Sequence, residues 1–506
     1  MKRILPATLL VLLAIAILAA GCTSSPFAPA QKSPGDTLFA QAEKEFQDNN
    51  LHAATSLFRL AQENYTVAGN IAAAKKARDR VMAMQMMTFH YPYNRSTMDH
   101  QLAGIFPDLT NAQRAALLDG PGAVTLKSDG EVWYFEDTVS NIVYHNMTIM
   151  QSVNAAKHYT PFYDELAPLA FAPQKGSVGP YADPITWEGN EEIAIPRDRL
   201  PANGTLKLWV PLPVEYGPQQ NVTITVLEPA QYLKSTAVTG TDLGLAYFEI
   251  PLAKIRDPFV NVTARFRFTE YTQRFTVDPV KVLPYNTSDP EYRKYTASSA
   301  NIALTPAMKK KAQEIVGNET NPYLQAQKIY RYVSDSLPYS HAPHMQLEAT
   351  GEPRSVYVLE TGIGDCGAQS QYFAALCRSI GIPARVPVGY QMILGPAGTH
   401  VWAEYYVEGY GWIPADVTVA EGADWSYNAK TAERQQYRDY FSRNLDPYRY
   451  IIQKDVDVPL FPDPGDTEVV ITRNTIQIPV AVCDTCTENP SIMIPEKYWT
   501  ITVMKA

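Results

Sequence analysis

Three residues in the second half of the chain have the types and the order that acyl chemistry requires: Cys366, His400 and Asp416. A thiol nucleophile needs a base to take its proton. The base in turn needs a carboxylate that fixes its tautomer and stabilises its cation. Cys366 follows Gly362-Ile363-Gly364-Asp365 and stands directly before a helical run over 368–381 that glycine ends. With Asp365 as N-cap, the cysteine falls on the first turn, where free N–H groups and the positive helix end favour a thiolate and can face an oxyanion. Asp365 itself acts the other way, because an adjacent negative charge raises a thiol pKa.

Each residue also has a plainer reading. A cysteine on a helix is more often a small buried residue than a nucleophile. Cys377, eleven residues on and near the same azimuth as Cys366, is read as such a core residue. His400 lies in an expected strand over 399–407, followed by a Gly409-Tyr410-Gly411 turn and a returning strand over 412–417 that ends near Asp416. A tight hairpin leaves positions 400 and 416 out of register, so a bulge or bend is required, with Pro414 the candidate. Without it, His400 is a half-buried strand residue and Asp416 a turn or cap.

Read in order, Gly364-Asp365-Cys366, Ala374-Ala375-Leu376, Gly381-Ile382-Pro383-Ala384-Arg385, Gly389-Tyr390, His400-Val401-Trp402 and Gly411-Trp412-Ile413-Pro414-Ala415-Asp416 resemble the microbial transglutaminase-like superfamily. Asn444-Leu445-Asp446-Pro447-Tyr448-Arg449 is similar to a stretch found downstream in such proteins. The resemblance implies a papain-like α+β fold, a Cys helix packed on an antiparallel sheet that carries His and Asp. It assigns Cys366 as nucleophile, His400 as base and Asp416 as its partner. No residue aligns with the second oxyanion donor of animal transglutaminases, nor do their calcium sites appear. The implied reaction passes through a thioester. Water as acceptor makes a peptidase or amidase, the favoured expectation, and an amine makes a cross-linking acyltransferase. A third reading, from a different class, is a non-enzymatic envelope-binding protein.

The elements that must position these residues suggest a multi-domain α+β chain. At ~100–200 residues per domain, 506 residues predict three or four. Residues 1–22 read as a signal and 23–36, rich in Ser, Pro and Ala, as a linker. Residues 37–175 read as a mainly helical domain. In it Phe39, Ala42, Phe46, Leu51, Ala54, Phe58 and Ala61 recur at three- and four-residue spacings, as in a tetratricopeptide-like hairpin. A further helix is expected over 71–87 and a turn at Asp129-Gly130. Alternating apolar stretches at 206–210, 221–227 and 260–268 point to a β-sandwich over 176–290. Helices over 305–316 and 322–337 open the catalytic segment, 291–475, and 476–506 is read as a β extension.

Lys2 and Arg3 precede an apolar run over 4–20 that ends in Leu18-Ala19-Ala20-Gly21-Cys22. This is an export signal, and its end resembles a lipoprotein processing box with Cys22 as lipid attachment. An uncleaved membrane anchor is the alternative, and both place the remainder at the outer face of the cytoplasmic membrane. Sequons at Asn64, Asn94, Asn146, Asn203, Asn221, Asn261, Asn286 and Asn318 are possible glycosylation positions. Composition is 46% hydrophobic and 19% charged, with net charge -9 and no long basic run, which argues against nucleic-acid binding. The expected partners are a peptide or protein substrate in the cell envelope and the membrane. Five cysteines are too few for a disulfide scaffold, although Cys483 and Cys486 are spaced for a local disulfide. His341 and His344 have ligand-like spacing but no evident third ligand, so no metal and no cofactor is expected.

Overall fold

Ser33 opens the first helix, Pro34–Gln47, with a capping box. Its hydroxyl accepts from the Asp36 N–H at 3.1 Å while the Asp36 carboxylate accepts from the Ser33 N–H at 3.0 Å. The helix therefore begins inside the stretch read as linker. The computed structural model describes residues 33–172, 179–464, 475–483 and 498–506. The signal with Cys22, most of the linker and Cys486 lie outside the described residues. Among those described, no helix is long and apolar enough to cross a membrane.

The chain divides into two compact units, one taking in the residues up to Met84 with Lys127–Glu131, the other Gln85–Leu126 with Val132–Ala506. In the first unit, Pro34–Gln47 packs on Leu51–Val67, and Phe39 meets Phe58 edge-on at 5.1 Å between centroids. Ala42, Leu51, Ala54, Phe58 and Ala61 are buried, the face that the three- and four-residue spacing predicts. Asp129 and Gly130 both take left-handed φ values, 53° and 81°, in the expected turn between Thr125–Ser128 and Glu131–Tyr134.

In the second unit, helices Pro306–Val316, Pro322–Ser336 and Cys366–Ser379 fall where the periodicity predicts them. The expected strands at 206–210, 221–227 and 260–268 lie within Thr205–Pro211, Gln219–Glu228 and Phe259–Arg274. Phe259–Arg274 pairs antiparallel with the long strand Tyr181–Pro196, and Thr205–Pro211 with Leu245–Pro251. Residues of both sheets share one apolar core around Trp209, Phe248, Phe266 and Phe268. The last strands join these sheets from far along the chain. Val480–Cys483 pairs with Thr205–Pro211, and Trp499–Lys505 pairs with Tyr181–Pro196.

One consequence is measurable. Glu191, almost fully buried, accepts from the Trp499 indole at 2.6 Å, and burial pushes its pKa from 4.5 up to about 8. An unfolded chain ionises freely above 4.5, whereas the folded one must keep the proton. The cost is absent below about pH 4 and grows as pH rises towards 8. Glu191→Gln keeps the acceptor and removes the ionisation, so it should raise stability by about 1–3 kcal/mol at pH 7. At pH 4 it should change little; urea unfolding at the two pH values checks this.

Candidate active site

The helix Cys366–Ser379 starts as the sequence predicts. Asp365 is its N-cap, accepting from the Ala368 N–H at 3.0 Å, which puts Cys366 on the first turn. The helix is buried from Gly367 through Arg378, and Cys377 is fully enclosed. Cys366 is half-buried. Two contacts tie its turn to the strand that carries His400. The Ser370 hydroxyl donates to the Val401 carbonyl at 3.4 Å, while the N–H groups of Val401 and Gly367 reach the Cys366 sulfur.

His400 sits on the short strand Gly398–Val401, opposite Gly389 on Val388–Gln391, which pairs on its other side with Arg449–Gln453. A Cβ at Gly389 would lie 1.8 Å from the Tyr450 carbonyl oxygen, so only glycine lets these strands approach. Gly389→Ala is expected to cost about 1–3 kcal/mol by overpacking and to lower activity by displacing His400. A melting curve beside an activity assay reads both.

The strand expected over 399–407 is broken at Trp402, and this break is the required bend. Pro414 is not the bend, because it pairs in regular register with Glu404 between Ala403–Val407 and Gly411–Ala415. At Trp402 the chain leaves one three-stranded sheet and enters another. The crossing brings His400 Nε2 to 2.8 Å from Asp416 Oδ2, with both side chains buried. Nε2 is thereby engaged, and Nδ1 is the ring atom left for proton transfer.

Asp416 is held from several sides. The Val419 N–H donates to Oδ1 at 3.0 Å, and the guanidinium of Arg449, itself fully buried, lies 2.8 Å from Oδ2. Arg449 also pairs with Asp446 at 2.6 Å and lies over the Trp402 ring. Burial alone would raise the Asp416 pKa, but His400 and Arg449 outweigh it and hold the carboxyl well below its usual range. The thiol moves the other way. Burial first, then the Asp365 carboxylate, push Cys366 well above its ordinary 9.0, against the N–H groups of Val401 and Gly367. A full charge at Asp365 and a dry setting thus win over the partial charge of the helix end. At neutral pH the resting sulfur is a thiol, and a base must take its proton during attack.

Other expected positions separate. His344 hydrogen-bonds Asp365, whereas the His341 ring packs on Tyr339 and Tyr144, so the two histidines do not converge. Among the described residues no group of three or more His, Cys, Asp or Glu is placed to hold a metal. Cys483 is disulfide-bonded. Seven sequon asparagines are exposed, and Asn146 is partly buried. Sequence reasoning missed Ser370, Asp446 and Arg449 as supports of the site. The Asp446-Pro447-Tyr448-Arg449 stretch carried a family likeness, but nothing local marks an arginine as buried.

Residues 309–417 match the model of the transglutaminase-like superfamily. An uncharacterized protein of Haemophilus influenzae is 25% identical over 265 residues, 44% of this chain and 66% of that one, so the chain spans just under two thirds of that relative. A candidate cysteine protease from Cytophaga hutchinsonii is similar over 64% of this chain and 91% of its own, at 13% identity and TM-score 0.40. The periplasmic domain of TgpA from Pseudomonas aeruginosa is similar over 52% and 94%, at 17% identity and TM-score 0.25. The chain carries a transglutaminase-like domain in its C-terminal half.

Proposed function

We propose that the chain is a thiol acyl-transfer enzyme acting on peptide or protein amides, with Cys366 as nucleophile, His400 as base and Asp416 as orienting carboxylate. The observation that carries this reading is the buried His400–Asp416 pair at 2.8 Å, with the residue after His400 tied to the Cys366 helix through the Ser370 hydroxyl at 3.4 Å. His400 takes the thiol proton as sulfur attacks the carbonyl carbon, and the imidazolium returns it to the leaving amine. The Cys366 N–H at the helix start is placed to meet the oxyanion. A thioester then passes to water or to an amine, with hydrolysis favoured.

The protein would work at the outer face of the cytoplasmic membrane, held by a lipid at Cys22 or by an uncleaved anchor, on substrates of the cell envelope. The exposed sequons, a Cys483–Cys486 disulfide, a β-sandwich made of the two large sheets and a tetratricopeptide-like role for the first helical hairpin belong to the same proposal. A thiol-directed acyl probe should label the parent and Cys377→Ala but not Cys366→Ala. Incubation with envelope extract, with and without an added primary amine, separates hydrolysis from transfer. An extract in which nothing is released or joined would point to a binding protein instead.

A further inference from the structure

His344, part of the His341-x-x-His344 pair that the proposed reaction leaves unused, opens the helix His344–Thr350 and reaches back to the residue beside the nucleophile. Its Nε2 donates to Asp365 Oδ2, while Asp365 Oδ1 is occupied by the Ala368 N–H at 3.0 Å. Behind it, Arg354 Nε points at His344 Nδ1 at 3.4 Å, so Nδ1 accepts and Nε2 carries the donated proton. Arg354 is buried and fixed, donating to Asn301 Oδ1 at 2.9 Å and to Glu348 Oε1 at 2.6 Å. The ring of His344 is about half exposed, so the chain Arg354–His344–Asp365 runs from the core to the rim of the site and ends one residue from Cys366.

Asp365 is needed as N-cap, yet its charge opposes ionisation of the adjacent thiol. A cap could be supplied by a neutral residue such as Asn with little loss, so the charge calls for a counterweight. The Arg354–His344 pair is placed to supply it. Burial alone would raise the Asp365 pKa, but His344, the Ala368 N–H and Arg354 together hold it well below its usual range. The other ionisable groups facing this corner are Glu348, already paired with Arg354, and Tyr339, which lies near both Asp365 and Cys366. From the opposite side stands the buried Asp416 with His400.

We propose that His344 is a positioning residue of the thiol site: backed by Arg354, it offsets the Asp365 charge and so sets how readily Cys366 reacts. This rests on the reading of Cys366 as the nucleophile. No covalent step is assigned to His344, which moves no proton to substrate.

The test is the pH profile of iodoacetamide alkylation at Cys366 in the full chain, followed by peptide mass, in a two-by-two set of His344→Ala and Asp365→Asn. In the parent background, His344→Ala should move the midpoint up by roughly 0.5–1 pH unit and slow alkylation at pH 7 about three- to tenfold. In the Asp365→Asn background, where the cap is kept and the charge is gone, the same change should shift nothing. An equal shift in both backgrounds, or none in either, overturns the inference. If Cys366 in the parent is not alkylated at any pH, the nucleophile assignment itself falls, and this proposal with it. Melting temperatures of all four proteins show whether a slowed rate comes from lost structure, in which case the shift would persist in the Asp365→Asn background.

Discussion

His400→Ala is expected to lower turnover by about 10⁴-fold or more, and also to lower the melting temperature, because a buried ring and a partner of the enclosed Asp416 are lost. The size follows from the state of the nucleophile. Burial and Asp365 keep Cys366 protonated at neutral pH, so the sulfur has no ready thiolate to fall back on when its base is removed. Cys366→Ala should lose at least as much, and the double variant should lose little more, because nucleophile and base act as one unit. Activity of the His400→Ala protein should rise with pH as hydroxide replaces the base. Stopped assays from pH 6 to 10 would show it. A variant retaining a tenth of parental turnover would falsify the assignment of His400 as base.

Arg449→Met should be the most destabilising single change near the site. Arg449 is fully buried between Asp416 and Asp446, at 2.8 and 2.6 Å. Removing it leaves two carboxylates enclosed without their cation, a loss of about 3–5 kcal/mol and on the order of 10 °C in Tm. The pH dependence carries a sign. The Asp416 pKa is depressed on folding, so its contribution is present above the ordinary carboxylate value of 3.8 and is lost as pH falls towards the folded value. In Arg449→Met that value rises, and acid should therefore cost the variant less stability than it costs the parent. Denaturant unfolding at pH 7 and pH 3.5 tests both statements, and an unchanged gap between parent and variant at the two pH values would refute the second.

Much of this is legible in the sequence, for physical reasons that differ from residue to residue. The place of Cys366 is local, since an Asp cap, a glycine-rich approach and a helix closed by Gly381 lie within one short stretch, and the structure repeats them. The burial of Cys377 follows from the same helical period. His400 and Asp416 could be named from motif order, but not joined. Their meeting depends on Trp402, where the chain changes sheets, and that choice is made by Val388–Gln391 competing for the first half of an apparently continuous strand. Pro414 drew attention as a known interrupter, yet its ring is accommodated in a regular ladder. Arg449 was invisible for a further reason: charged residues are almost never fully buried unless paired, and although Asp446 is three residues away, the partner that ties Arg449 to the site, Asp416, lies far from it in the chain. His344 offered only a ligand-like spacing to His341 with no third ligand, and the fold shows that its partner is a carboxylate.

The closing strands carry a consequence for how this protein comes into being. Trp499 meets Glu191 across 308 positions of chain, and Trp499–Lys505 runs along the strand Tyr181–Pro196. That edge of the first large sheet has no partner until Trp499–Lys505 has been made, and the thiol-bearing segment must emerge before it is covered. Pairings of such long range are slow to form, because loop closure precedes any reward from contact. Until then the edge is an open template for another chain. Cutting after Tyr498, which keeps every residue of the proposed triad and the strand Val480–Cys483, should therefore yield a protein that aggregates on refolding, read by light scattering against the full chain. Completion of the last strand, and not of the reactive centre, would then be the event that ends the vulnerable period.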